Sequence, residues 1–220
     1  MFQFFIISCT LSNVLLQRPL ILHGHAKPLS TVRYNREGDL LFTSALEPKT
    51  CVWYSVNGER LGTYNGSEGA TTHMDITCTF LLSFVSFHYQ FDQFNIIDDT
   101  SHLLASSGAY SAWIWDVETG KLVHKLAVSG PARRCGWSFS GNLFFVSFDC
   151  VGARASNPSE LLVFDVRDLS KSGPDGPVPV WRRPIENSKL TAATWAHLDD
   201  RIITGHENGD VSLYDLTVSG

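Results

Sequence analysis

A chain of 220 residues has room for one sizeable hydrophobic core or two small ones. Its formal net charge of −5, from 17 basic and 22 acidic residues, gives no electrostatic footprint for nucleic acid or an anionic membrane. Charged residues at 18% and aromatics at 12% favour a sheet-rich protein over a helical or disordered one. The cysteines Cys9, Cys51, Cys78, Cys135 and Cys150 are odd in number and widely spaced, without a CxxC pair. That pattern argues against a disulfide framework or a zinc site and for reduced thiols in a cytoplasmic protein.

The first seventeen residues, MFQFFIISCTLSNVLLQ, are apolar but lack a basic start and a small-x-small cleavage site before Arg18. Ser8, Thr10, Ser12 and Asn13 interrupt them, and the run is short for a membrane span. Residues 1–17 are read as a foreign extension outside the repeat that begins after them. In the first unit, about 23–64, STVRYN (30–35), DLLFTS (39–44), TCVWYS (50–55) and VNGERLGTY (56–64) supply strands separated by turns. The second unit, about 66–128, holds SHLLASS (101–107), SAWIWD (111–116) and ETGKLVHKLAV (118–128). It is lengthened by TFLLSFVSFHYQFDQFNII (79–97), which has no Lys, Arg or Gly and no counterpart elsewhere. So apolar an insertion on a rim would be a sticky patch, and translated non-coding sequence is the preferred reading.

The third unit, about 130–184, runs through ARRCGWS (132–138), NLFFVSF (142–148), ELLVFD (160–165) and VPVWRRP (178–184). The fourth, about 187–220, has LTAATWA (190–196), RIITG (201–205) and DVSLYD (210–215), and then ends in a turn without an outer strand. One run in each unit finishes on an aromatic: Trp53, Trp115, Phe164 and Tyr214, at intervals of 62, 49 and 50 residues. Asp116, Asp165 and Asp215 follow in three of them, and Tyr54 in the first. Gly38-Asp39 and Gly141-Asn142 suit tight hairpins. Four antiparallel strands per unit of forty to fifty residues predict an all-β propeller built of blades. Composition alone leaves a β-sandwich open, but not this recurrence.

RPLILHGH (18–25), YNREGDLLF (34–42), VWYSVNGERLGTY (52–64), ETGK (118–121), CGWSFSGN (135–142) and GHENGDVSLY (205–214) carry a specific resemblance. They resemble the family of the i subunit of eukaryotic translation initiation factor 3, also described as a receptor-interacting protein of the transforming growth factor β pathway. The resemblance runs from Arg18 to Gly220 apart from 78–97. It implies a WD40 β-propeller of seven blades, of which about four are in this chain. It also implies a non-catalytic scaffold that joins the b and g subunits and helps bring mRNA and initiator tRNA to the small ribosomal subunit. A receptor-associated WD40 signalling adaptor, of the serine/threonine kinase receptor-associated type, is the alternative.

A complete WD40 blade links the His of a Gly-His pair, a strand Ser or Thr, a turn Asp and the Trp by buried hydrogen bonds. The structural repeat positions are thus Gly24, His25, Trp53, Trp115, Asp116, Phe164, Asp165, Tyr214 and Asp215. The turn Asp belongs six residues before the aromatic, where this chain has Glu47, Ala109, Pro158 and Asn208. Only Gly24-His25 is a clear Gly-His before a first strand, and the second unit has Gly66-Ser67. The expectation is that no blade completes the network and that this part of the ring is soft. Leu20-Ile21-Leu22, which in the family closes the last blade, is expected to lack a partner. Open blade faces predict poor solubility.

No catalytic, cofactor or metal residue is assigned. GxSxG, GxGxxG and GxxxxGK[ST] are missing. His23 and His25 would share a strand face, but nothing acidic or sulfur-containing accompanies them, and His25 fits the structural role. Asp98-Asp99 and Asp199-Asp200 read as solvated turns, and Arg133-Arg134 and Arg182-Arg183 as rim charge rather than an RNA groove. The Pro174-x-x-Pro177 spacing suits an SH3 ligand, but VPVWRRP is better used as an outer, edge strand, where proline is tolerated.

Overall fold

The computed structural model describes residues 5–6, 20–67, 69–77, 102–107, 110–152, 157–169, 172–173, 176–186, 188–196 and 198–217. Most of 1–17, the whole of 79–97, and Ala109, Asp98-Asp99 and Pro174 lie outside them. The described chain is strands joined by turns, with a single 3-10 turn at Val166–Asp168 and no α-helix among the described residues. Two short strands come first, β1 (Phe5–Ile6) and β2 (Leu20–Ile21). Four sheets then succeed one another in chain order. The first holds β3 (Leu29–Tyr34), β4 (Leu40–Ala45), β5 (Lys49–Tyr54) and β6 (Arg60–Asn65). The second holds β7 (Thr71–Ile76), β8 (His102–Ser107), β9 (Ser111–Asp116) and β10 (Leu122–Ala127). In the third, β11 (Ala132–Trp137), β12 (Leu143–Asp149) and β13 (Ser159–Asp165) are completed by β16 (Trp181–Ile185), after a small hairpin of β14 (Ser172–Gly173) and β15 (Gly176–Pro177). The fourth has β17 (Leu190–Trp195), β18 (Arg201–His206) and β19 (Val211–Asp215).

Each sheet is a meander, antiparallel throughout, and the protein is an all-β, incomplete WD40-like propeller. The outer strand of the third blade does come from the proline-containing run, with Pro184 opposite Glu160 at the sheet edge. There the missing N–H costs no ladder bond on the open side.

Burial explains the sequence pattern. Strands β5, β9 and β13 are buried on both faces and so read as continuous apolar runs; neighbouring sheets cover β9 and β13, while β5 lies between the second sheet and the segment of Leu22 and Gly24. Phe42, Tyr64, Met74, Trp113 and Trp115 join the first blade to the second. Ile114, Leu126, Trp137, Phe144, Phe148 and Phe164 join the second to the third, with the Phe144 and Phe164 rings stacked at 5.2 Å. Phe145, Leu161, Val163, Leu190 and Ile202 join the third to the fourth. Each such buried side chain contributes about 1.5–3 kcal/mol. The face of the fourth blade turned from the third leaves Ile203, Leu213 and Val211 exposed.

All four blades share one irregularity that no residue type announces. The pairing of the inner strand with the second shifts after its first residue, at Ser30, Thr72, Arg133 and Thr191. A β-bulge there adds twist to each inner strand. The extra residue then spends its side chain on a neighbour: Ser30 on the Ser44 hydroxyl, Thr72 on the Ala132 carbonyl, Arg133 on the Asp149 carboxylate and Thr191 on the Gly205 carbonyl.

One expectation is corrected here. Leu20–Ile21 is not partnerless: it pairs antiparallel with Phe5–Ile6, and Leu22 beside it is buried against Leu41, Cys51 and Trp53. The unmet N–H and C=O groups of an extended strand are satisfied by another extended stretch within reach, here one from the apolar extension.

Candidate functional site

The repeat positions converge most fully in the first blade. Gly24 lies under the Trp53 indole so closely that a Cβ would sit 2.5 Å from the ring, and the glycine is required by that approach. The chain then turns His25 toward Glu47, whose Oε1 is 2.6 Å from Nδ1, while Nε2 is 2.8 Å from the Thr43 hydroxyl. The same hydroxyl accepts from Trp53 Nε1–H at 2.8 Å. Donor logic fixes the direction. An indole N–H only donates, so Thr43 accepts from Trp53; in the neutral tautomer that gives Nδ1–H to the Glu47 carboxylate, Nε2 is an acceptor and takes the Thr43 proton. The network expected to be incomplete in every blade is complete in this one. Glutamate serves where aspartate was expected, its extra methylene spanning to the histidine from the turn.

The other blades keep parts of the arrangement. In the second blade a Cβ on Gly66 would meet the Trp115 ring at 3.7 Å, an ordinary contact, so the glycine there answers to its φ of 117 rather than to the indole, and Ser67 stands in place of histidine. Phe164 sits in the apolar core, and Tyr214 packs its ring 6.2 Å from Trp181. Pro158 and Asn208, at the turn positions of the third and fourth blades, offer no carboxylate. The aspartates after the aromatics act elsewhere: Asp116 accepts from the Thr119 N–H and hydroxyl, Asp165 from the Arg167 N–H and Asp215 from the Thr217 N–H. Each closes the turn into the next segment, which is the reason for aspartate after a buried aromatic.

Sequence reasoning missed a second constellation, at the C-terminal ends of the inner strands. Asp75 on β7 accepts from the Trp137 backbone N–H of the third blade at 2.9 Å and meets Arg33 of the first at 3.6 Å. Trp195 on β17 donates its indole N–H to the Gly136 carbonyl at 2.9 Å. Asp199, with φ 56, holds a left-handed position that glycine takes at Gly38 and Gly141 in the equivalent hairpins. Its carboxylate accepts from the Phe139 and Ser140 N–H groups at 2.6 and 2.9 Å. It is therefore an inter-blade tie, not merely a solvated turn residue. Between these ties lies a cleft of about 230 Å³.

Burial governs the ionisable groups of the cleft. Desolvation, helped by Arg134 and Arg33, lowers His73 from 6.5 to about 4, so its ring is neutral at pH 7. Desolvation also raises Asp75, against the opposing pull of the Trp137 amide and Arg33. Burial raises the Cys51 and Cys150 thiols, away from reactive thiolate. Among the described residues no three His, Cys, Asp or Glu side chains gather as metal ligands. His23 is exposed in an irregular segment and shares no strand with His25. No helix among the described residues is long and apolar enough to cross a membrane.

No family model matches the chain. It is similar to eukaryotic translation initiation factor 3 subunit I of Anopheles gambiae, with 41% identity over 202 residues, 90% of this chain and 54% of that protein. The same-named proteins of Nematostella vectensis and Taeniopygia guttata are 36% and 38% identical, again over 90% of this chain and 53% of their own length. The chain spans about half the length of the curated relatives it matches. Over that half, with its aromatic-ended strands and four consecutive blades, it is similar to eukaryotic translation initiation factor 3 subunit I.

Proposed function

We propose that this chain serves as a non-catalytic scaffold of the eukaryotic initiation factor 3 complex, in the cytoplasm. It works through protein–protein contacts, with the b and g subunits as partners and, through the complex, the small ribosomal subunit, in recruiting mRNA and initiator tRNA. Direct nucleic-acid binding, a membrane and a cofactor have no part in this reading. Similarity to subunit I proteins along 90% of the chain is the observation that carries it. Further support comes from the chemistry of the blades. The His25 ring and the Asp75 carboxylate are spent on holding strands and turns together, and the thiols Cys51 and Cys150 are pushed away from reactivity.

The test is affinity purification of the tagged chain from its source cells, followed by quantitative mass spectrometry. Enrichment of the b and g subunits together with small-subunit proteins is expected. Recovery with receptor kinases and without initiation factors would transfer the chain to the signalling-adaptor class.

A further inference from the structure

The cleft at the C-terminal ends of the inner strands has walls of opposite character, contributed by all four blades. Arg33 of β3 forms one side. It meets Asp75 at 3.6 Å, longer than a hydrogen bond, and its side chain stays 50% exposed. The lining also carries Phe139, in the turn after β11, and Trp195 of β17, together with Trp137, whose own ring is buried 5.3 Å from Phe144. Phe139 is 57% exposed, yet its backbone is pinned by the Asp199 carboxylate. An apolar side chain held out to solvent on a fixed backbone has already lost part of the freedom that binding would cost it. The acidic groups nearby are committed: Asp75 to the Trp137 amide, and Asp199 to two amides of the neighbouring turn.

We infer that this cleft binds a peptide segment that sets one carboxylate on the Arg33 guanidinium and an adjacent apolar side chain against Phe139. The planar fork of arginine matches a carboxylate in two parallel hydrogen bonds. A volume of about 230 Å³ admits side chains and excludes a folded element. RNA fits poorly, because one arginine does not neutralise a run of phosphates. The inference goes beyond the scaffold reading and stands or falls independently of the complex that the chain joins.

The experiment titrates the full chain with two acetylated, amidated tetrapeptides, glycine-glutamate-leucine-glycine and its glutamine counterpart. The indole N–H resonances of Trp137 and Trp195 report binding. The glutamate peptide should bind about ten- to a hundredfold more tightly, the range of a hydrogen bond to an ionised group. Arg33→Gln should erase that preference, Phe139→Ala should weaken both peptides, and Arg183→Gln on the exposed outer strand should change neither. Equal affinity of the two peptides for the unmodified chain overturns the inference without recourse to any variant. So does the lack of saturable binding at millimolar peptide, or displacement of the peptide by a short oligouridylate.

Discussion

Replacing Thr43 with valine deletes the hydroxyl that both accepts from Trp53 and donates to His25, while keeping the shape of the side chain. Thr43 is 2% exposed and Trp53 3%, so water does not reach the orphaned indole N–H. A buried polar group left without a partner costs about 1–3 kcal/mol. His25, less completely enclosed, adds about 1 kcal/mol for its lost bond. The expected loss is about 2–4 kcal/mol, a large share of the total stability of a domain. Thr43→Ser keeps the hydroxyl and loses only a methyl group, at a cost of about 1 kcal/mol. Urea unfolding followed by circular dichroism gives the two values. Indole exchange localises the effect, because Trp53 N–H should lose protection in the valine variant while the other tryptophans keep theirs. In a double-mutant cycle with Trp53→Phe, the coupling should be about 1–2 kcal/mol. If valine costs no more than serine, or if the coupling is zero, the relay from indole to carboxylate does not exist as described.

Glu47→Gln retains an acceptor for His25 Nδ1–H and should cost about 1 kcal/mol less than Glu47→Ala, as thermal midpoints would register. Gly130→Ala puts a Cβ 1.7 Å from the Asp149 carbonyl oxygen, so the variant should lose more than about 3 kcal/mol or fail to accumulate as soluble protein. Asp199→Gly relieves a left-handed residue but gives up two hydrogen bonds; Asp199→Ala gives up the bonds and keeps the strain, and should be the less stable by about 1 kcal/mol in urea. His73 has its folded pKa lowered from 6.5 to about 4, so its contribution is intact above 6.5 and is lost as pH falls toward 4. The loss is at most about 3 kcal/mol, reduced by the partial exposure of the ring and by Asp75, whose raised pKa acts in the opposite sense. Urea midpoints measured between pH 7 and 4.5 should fall more steeply for the unmodified chain than for His73→Gln.

The blades were legible where one local cause writes a repeated residue. Trp53, Trp115 and Phe164 recur because the third strand is buried on both faces, Tyr214 holds the same place with only its Trp181 side covered, and Asp116, Asp165 and Asp215 recur because the following turn needs an acceptor for its N–H groups. Gly24 is glycine because an indole lies over it, and Gly66 because its φ of 117 suits no other residue. What escaped the sequence was any role shared between distant blades or filled by unlike side chains. The bulge sits at the same place in four inner strands, yet Ser30, Thr72, Arg133 and Thr191 have no common chemistry beyond a polar tip. Asp75 serves an amide 62 residues away, and nothing near it in the sequence points there. Glu47 was misjudged for a simpler reason. A template that demands aspartate hides a carboxylate one methylene longer, although distance to His25, not residue type, is what the hydrogen bond requires.

These observations also bear on where a propeller of this kind keeps its specificity. The strands are interchangeable in role: each blade repeats the same meander, the same bulge and an aromatic buried against its neighbour. The groups that differ from blade to blade stand at the ends of the inner strands, where Arg33, Asp75, Gly136 and Thr194 occupy equivalent register positions. The apolar interfaces are made by the central strands together with inner-strand residues such as Met74, Trp137 and Leu190, so a substitution at the exposed Arg33 or Thr194 leaves them intact. Gly136 is fixed in size, since a Cβ there would lie 2.6 Å from the buried Phe145 ring, whereas the exposed Arg33 and Thr194 can vary in charge and size, while the backbone nearby is held by ties such as Asp199 to Phe139 and Trp195 to Gly136. Rigid support under variable chemistry is the condition for selective binding, and it is met at the cleft rather than on the repeating faces.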